Sequence, residues 1–134
     1  MHEKLKISYK HNKNIKFYGS LESRQVHEIL SKSHIFINPS FAMEGGPRTI
    51  LEAGINKCAV ISTNVGIVPY VIKHLENGLI IDIKNSNDIL EKLNFLIDNF
   101  NLIEVYGNKL FKEVKSNFLW NETVNQIERH LNIS

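Results

Sequence analysis

The segment 38–54 contains the candidate binding and catalytic side chains of this sequence. It reads NPSFAMEGGPRTILEAG and contains two carboxylates, Glu44 and Glu52, with seven residues between them. Two adjacent glycines in that interval let the backbone approach a ligand closely. The helix expected to start near Thr49 would present unpaired N–H groups and a partial positive charge, and Arg48 would add a permanent one. These residue types predict an anion-binding loop at a helix N-terminus.

Each of these residues also has a purely structural interpretation. Thr49 and Glu52 fit the S/T-x-x-E capping box, which does no more than satisfy the first N–H groups of a helix. Glu44 alone is typical of a solvated loop carboxylate, and a Gly-Gly-Pro sequence is typical of a turn. An isolated Arg48 is typical of a surface charge. The sequence leaves both interpretations of Glu52 open, a ligand-binding carboxylate and a helix cap.

Short apolar runs around this loop predict the strands that position it. They occupy residues 15–18, 34–38, 58–63 and 79–83. The last three are almost continuously apolar and β-branched, which is typical of strands covered on both faces in a parallel sheet. Helical patterns separate the first three runs, one through Val26, Ile29 and Leu30 and one over residues 49–56. This alternation predicts an α/β fold with a Rossmann-like parallel sheet of about four strands.

After residue 84 the apolar spacing is helical throughout. Three segments show it: Ile89, Leu93, Leu96, Ile97 and Phe100, then Ile103, Tyr106, Leu110 and Val114, then Trp120, Val124, Ile127 and Leu131. Ser86 is the expected N-cap of the first helix. Gly107 lies inside the second, where we expect it to cost about 1 kcal/mol relative to Ala.

Composition and charge argue against several classes of protein. The 134 residues carry a formal net charge of +2 and one cysteine. No apolar run approaches the ~20 residues that a membrane span needs, and the start has no signal-peptide core, so we expect a cytoplasmic domain. The six histidines lack metal-ligand spacing, and the dispersed lysines form no stripe for nucleic acid. Cys58 is expected to be a small buried hydrophobe.

Several motifs occur in a fixed order along the chain. Pro39-Ser40 follows a strand, and Glu44 is followed after seven residues by Glu52-Ala53. The sequences AVIST (59–63), NVGIVP (64–69), NGLI (77–80) and FLW (118–120) come next. Together they resemble the donor-binding half of the group-1 glycosyltransferases, which have the two-domain GT-B fold and transfer sugar from nucleotide-sugars with retention. The resemblance covers residues 15–120 and implies that residues 1–134 are part of a C-terminal donor-binding domain.

The resemblance also implies roles for the loop residues. Glu44 would lie at the donor sugar and support the charge that develops as the glycosidic bond breaks. Glu52 would accept hydrogen bonds from the ribose hydroxyls. The other donor-binding residues that it implies are Gly19 near the base, and Ser40, Gly45, Gly46, Pro47, Arg48 and Thr49 around the sugar and the diphosphate. It implies no metal and no other cofactor.

The chain departs from the family pattern in three ways. The family's Gly-Gly-Val-Pro-Glu turn reads GIVPY over residues 66–70. The family's small-residue and Pro-rich entry to the strand expected over 58–63 reads INKCA over residues 55–59. The third departure that we expect is the absence of the N-terminal acceptor domain and of the first two donor-domain strands. In the Rossmann strand order this separates the runs at 15–18 and 34–38. Either these runs pair directly, or another polypeptide supplies the strands, or the chain is a fragment with exposed edges.

We therefore expect a truncated or split glycosyltransferase that moves a sugar from a nucleotide-sugar to a glycan or lipid-linked acceptor. One alternative is a non-catalytic module that binds nucleotide-sugars or a protein. Another is an epimerase of the same two-domain fold, against which the spacing of the two glutamates argues. The expected partners are a nucleotide-sugar and, for a split enzyme, a separate chain that carries the missing domain and strands.

Overall fold

A computed structural model describes residues 2–41, 48–118 and 129. The strands are β1 (Ile35–Asn38), β2 (Ala59–Thr63) and β3 (Leu79–Ile81). The helices are α1 (His2–Ser8), α2 (Ser23–Leu30), α3 (Arg48–Ile55), α4 (Val68–Val71), α5 (Ser86–Asp98) and α6 (Asn101–Phe118). Of these helices, none combines the length and the apolar character that crossing a bilayer requires.

The three strands form a parallel sheet in the order β1-β2-β3. Ile35 lies opposite Ala59 and Asn38 opposite Ser62, while Thr63 lies opposite Ile81. Every residue of β2 is buried, as its uninterrupted apolar sequence predicts for a central parallel strand. The predicted α/β fold with a parallel sheet is confirmed.

Each face of the sheet carries its own apolar core. On one face, Val60 of β2 packs with residues of α2, α3 and α4 and with Leu110 and Val114 of α6. On the other face, Ala59, Ile61, Leu79 and Ile81 pack with Leu96 of α5 and with Ile103 and Tyr106 of α6. Side chains alternate between the faces along each strand. Helix α6 contributes to both cores, which holds the two layers together.

The predicted strand at residues 15–18 is wrong. These residues belong to no strand, and Ile15 and Tyr18 are 39% and 53% exposed. Within the described part of the sheet, β1 pairs with β2 alone. A strand needs a neighbour to satisfy its N–H and C=O groups, and direct pairing of this segment with β1 does not occur.

The other strand predictions are confirmed with shorter bounds. The strand expected over 79–83 ends at Ile81, because the N–H of Asp82 donates to the Asp88 carboxylate at 2.8 Å and leaves the sheet. The predicted cap of α5 is off by one residue. Asn85 is the N-cap, and its side-chain oxygen accepts from the Asp88 N–H at 3.0 Å. The helix predicted through Trp120 and Leu131 lies outside the described residues.

A close approach to the backbone of Lys57 explains why residue 107 is a glycine. A Cβ at this residue would overlap the carbonyl oxygen of Lys57 and lie 2.8 Å from the carbonyl carbon. The absence of a side chain therefore lets α6 pack against the turn between α3 and β2. The expectation that Gly107 weakens α6 relative to Ala is wrong in this tertiary context.

The free thiol of Cys58 is buried, as predicted. Its side chain is fully shielded, with Sγ 3.4 Å from the carbonyl oxygen of Leu30, and burial raises the pKa of the thiol to about 11. At pH 8 only about one molecule in a thousand would carry a thiolate. We expect a colourimetric thiol reagent to leave the native protein unlabelled and to label one thiol per chain in denaturant. Rapid labelling of the native protein would contradict this burial.

Candidate functional site

The start of α3 brings a buried carboxylate and an arginine together. The Nε of Arg48 lies 3.4 Å from Oε1 of Glu52, one helical turn further on. The Glu52 side chain is only 11% exposed, whereas that of Arg48 is 43% exposed. Because α3 follows the loop after β1, the pair lies near the carboxyl end of the sheet, where parallel α/β folds bind ligands.

Two opposing effects act on the ionisation of Glu52. Burial raises the pKa of its carboxyl above the usual value, and the nearby Arg48 guanidinium lowers it. Burial is the larger effect, so a proton is held more tightly in the folded chain than in the unfolded one. A buried carboxylate facing one cation retains lone pairs that can accept further hydrogen bonds.

The capping-box interpretation of Glu52 is wrong. Thr49 lies inside α3, one residue after Arg48, and not at the position before the helix. Glu52 is accordingly in the second turn, beyond the reach of the first N–H groups, and its carboxylate faces Arg48. A structural cap therefore does not account for a glutamate at this position.

Polar contacts anchor the beginning of the loop to the neighbouring strand. The Asn38 amide nitrogen donates to Oγ of Ser62 at 3.3 Å. One strand position further on, the Thr63 hydroxyl donates to the backbone carbonyl of Ser40. Both partners in β2 are almost fully buried. The chain that leaves β1 is thus fixed to the end of β2 before it reaches the loop.

The chain's family follows from a comparison with known sequences. Residues 2–112 match the model of the family described as "Glycosyl transferases group 1". The chain belongs to this family. The predicted family resemblance is confirmed.

Curated relatives in this family are much longer than the chain. An uncharacterized glycosyltransferase of Methanocaldococcus jannaschii is 25% identical over 118 residues, which are 88% of this chain and 30% of the relative. The gpi3 subunit of phosphatidylinositol N-acetylglucosaminyltransferase from Schizosaccharomyces pombe is 24% identical over 128 residues, which are 95% of this chain and 27% of that protein. The chain therefore spans less than a third of these relatives.

Two solved structures share the fold of this chain. The C-terminal domain of the group 1 protein LpcC from Francisella tularensis is 29% identical, with a TM-score of 0.75 over 87% of this chain and 60% of that one. Anabaena HepE, solved in complex with UDP-glucose, has a TM-score of 0.79 at 17% identity, over 98% of this chain and 35% of that one. The architecture of this chain is therefore that of one part of a GT-B glycosyltransferase.

The structure brings some of the predicted group-1 site residues together. Arg48 and Glu52 are in contact, and Thr49 is exposed beside them at the start of α3. Ser40 lies at the entrance of the loop. Four predicted residues lie outside the described ones: Glu44, Gly45, Gly46 and Pro47.

Gly19 is the remaining predicted site residue. It is exposed and has a φ of +68°, with no atom within 4 Å of the place that a Cβ would occupy. A left-handed backbone explains glycine here without a ligand. Its place near a nucleotide base stays a prediction.

Sequence reasoning missed the residues that anchor the loop. Two otherwise apolar strands end in polar residues: Asn38 in β1, and Ser62 and Thr63 in β2. This pattern could have identified them as contacts, because buried polar side chains need hydrogen-bond partners and parallel strands end at the same edge.

Proposed function

We propose that this chain binds the nucleotide-sugar donor of a glycosyltransferase at the carboxyl end of its sheet. The observation that carries the proposal is the buried Glu52 paired with Arg48 at the start of α3, in a member of the group-1 family. With the rest of the fold present, the sugar would pass to a glycan or lipid-linked acceptor.

The chemistry of the pair suits a nucleotide. An ionised Glu52 accepts hydrogen bonds from the two ribose hydroxyls, and Arg48 keeps the charged form accessible in a buried place. The backbone N–H groups at the start of α3 face the anionic diphosphate, with the Thr49 hydroxyl beside them. We propose that protein groups alone bind the donor, without a metal or another cofactor. Complexes of the structural relative HepE with UDP-glucose support this class of ligand.

The outer edge of β1 is the proposed contact for polypeptide outside these 134 residues. In the described sheet β1 has a neighbour on one side only, and all four of its residues are half-buried. Ile35 and Ile37 pack at the margin of one core. We propose that another strand, carried by a separate chain in a split enzyme, pairs with this edge and completes the donor cleft.

Calorimetric titration tests donor binding. We expect saturable binding of one nucleoside diphosphate among UDP, GDP and ADP, and of its glucose, N-acetylglucosamine or mannose conjugate. The uridine series is the first to test, because HepE binds UDP-glucose. A folded protein that shows no heat of binding with any of the three series would contradict the proposal for this chain.

The role that we propose for Glu44 is in sugar transfer and not in nucleotide binding. We propose that its carboxylate supports positive charge at the sugar as the bond to the diphosphate breaks, and that it makes little contact with the nucleotide. Glu44→Gln should keep the affinity for the free nucleoside diphosphate within about twofold and lower the rate of sugar transfer at least about a hundredfold. The rate is measured as release of nucleoside diphosphate in a preparation that transfers sugar. Retained transfer would remove Glu44 from the mechanism.

A further inference from the structure

The outer edge of β3 is the side of this strand that faces away from β2. Within the described sheet, β2 is the only neighbour of β3. Backbone groups of alternate residues along a strand point to the same side, so those of Gly78, Ile80 and Asp82 share this edge. An edge of this kind ordinarily offers unpaired N–H and C=O groups to a strand of another molecule.

Two side chains already accept the N–H groups at this edge. The Ile80 N–H donates to Nδ1 of His74 at 3.0 Å. The Asp82 N–H donates to the Asp88 carboxylate at 2.8 Å. The imidazole and the carboxylate therefore occupy the positions at which an adjacent strand would place its carbonyl oxygens.

The turn before β3 holds His74 against the edge. The Leu75 N–H donates to the Gly78 carbonyl at 2.9 Å, and Leu75 has a φ of +64°, which a leucine rarely adopts. The buried Asn77 fixes the turn from inside. Its side-chain oxygen accepts from the Lys73 N–H at 2.7 Å, and its amide nitrogen donates to a second backbone carbonyl at 3.0 Å. These contacts keep the imidazole beside β3 although His74 is exposed.

The Asp88 carboxylate is held from two sides. The Nζ of Lys92 lies 3.3 Å from Oδ1, while Oδ2 accepts from the Asp82 N–H. The Asp88 side chain is only 15% exposed. The hydrogen bond from Asp82 is the main reason that the pKa of this carboxyl lies below its usual value. At neutral pH the group is therefore ionised and only accepts hydrogen bonds.

Without these two acceptors the edge would favour strand pairing. The sequence LIIDI over residues 79–83 is strand-like, and Leu75 and Ile83 are 57% and 48% exposed. An apolar strand with free N–H groups is a template for pairing. The same edge of a second copy offers the same groups, so the two strands would pair antiparallel about a twofold axis.

We propose that His74 and Asp88 prevent β3 from pairing with the same strand of a second copy of this chain. Each residue acts by occupying one N–H group of the edge. The inference does not depend on donor binding. It restricts strand addition in the described sheet to the edge of β1, where polypeptide outside these 134 residues is proposed to bind.

Sedimentation velocity over a range of protein concentrations tests the role of His74. His74→Leu removes the acceptor and should tighten self-association at least about tenfold relative to wild type. His74→Asn should associate as wild type does, because its Oδ1 lies at the same position along the side chain as Nδ1 and also accepts. His11→Leu adds the same apolar group at an exposed histidine outside the sheet and should also behave as wild type. Unchanged association in His74→Leu, or an equal increase in His11→Leu, would overturn the proposal.

The same measurement tests Asp88. Asp88→Leu should tighten self-association to a similar extent, and Asp88→Asn should not, since its side-chain oxygen still accepts from the Asp82 N–H. Because both substitutions remove the charge that faces Lys92, the asparagine variant is the control for that loss. An equal rise in both variants, or no rise in Asp88→Leu, would overturn the proposal for this residue.

Hydrogen exchange tests both hydrogen bonds in the wild-type chain, whatever the stability of the variants. In dilute wild type the amides of Ile80 and Asp82 should exchange slowly, and in dilute His74→Leu the Ile80 amide should exchange at least about fivefold faster. A higher concentration of His74→Leu should slow this amide again, because the second copy supplies an acceptor. Fast exchange of both amides in dilute wild type would overturn the proposal, as would protection in concentrated His74→Leu that arises only outside β3.

Discussion

Glu52→Gln is expected to weaken nucleoside diphosphate binding about tenfold or more, because a neutral amide replaces a charged acceptor of the ribose hydroxyls. The free energy of unfolding at pH 7 should change by no more than about 1 kcal/mol, because the lost pairing with the half-exposed Arg48 is offset by relief of a buried charge. Calorimetry gives the affinity, and denaturant titration gives the stability. Unchanged affinity would remove Glu52 from the ribose site.

A matched arginine–glutamate pair supplies the control. Arg24 and Glu28 in α2 have the same spacing, with Nε 3.5 Å from Oε1, but the Glu28 side chain is 59% exposed. Glu28→Gln removes a comparable ion pair and should leave the nucleotide affinity unchanged. A similar loss in both variants would indicate a general effect of charge.

The pH dependence of stability has a defined direction. Since burial raises the pKa of Glu52 above 4.5 in the fold, the native state binds more protons than the unfolded state between the two pKa values. The stability contributed by Glu52 therefore falls as pH rises from about 4.5 through the folded pKa. Relative to Glu52→Gln, wild type should gain stability as the pH is lowered through this range.

Gly107→Ala is expected to destabilise the protein by at least about 2 kcal/mol and to lower Tm by about 8 °C. An added methyl group would overlap the backbone of Lys57, which has no flexible end that can move away. The gain in helix propensity, about 1 kcal/mol, is smaller than this clash. Denaturant and thermal unfolding measure the change.

Ser116→Ala is the control for this substitution. Ser116 is an exposed residue of the same helix, so its replacement should change the free energy of unfolding by no more than about 0.5 kcal/mol. A stable Gly107→Ala variant would mean that α6 does not pack against the turn before β2.

The apolar pattern is sufficient to predict most of the fold. Strands β1, β2 and β3 are short runs that are apolar on both faces, and helices α2, α3, α5 and α6 show helical spacing. In each case the burial that stabilises the element is visible in the local sequence. The pattern also places the candidate loop correctly between β1 and α3.

The remaining features depend on contacts between distant parts of the chain. Residues 15–18 have a strand-like sequence but no neighbouring strand, and Gly107 is unfavourable for a helix unless its approach to Lys57 is considered. The sequence of the short helix α4 resembles a turn, and no pattern predicts α1. The Nζ of Lys84 lies 5.4 Å from the centroid of the Phe41 ring. Because 43 positions separate the two residues in the sequence, no local spacing predicts this contact.

Spacing alone leaves the site ambiguous for a similar reason. The sequences of a capping box and of a ligand-binding glutamate are the same around Thr49 and Glu52. The structure excludes the cap, because Thr49 is helical and follows Arg48 within α3, and the ligand-binding role of Glu52 stays a prediction. The ion pair with Arg48 is then visible only in three dimensions.

Amide NMR of the labelled protein, titrated with UDP, GDP and ADP, tests most directly whether the donor site lies at the start of α3. We expect saturable shifts for one nucleotide at Gly45, Gly46, Arg48, Thr49 and Glu52. The resonances of residues at the opposite end of the sheet, such as Lys57, should not move. A folded spectrum without shifts at these loop and α3 residues, or with saturable shifts only elsewhere, would contradict a donor site at the start of α3.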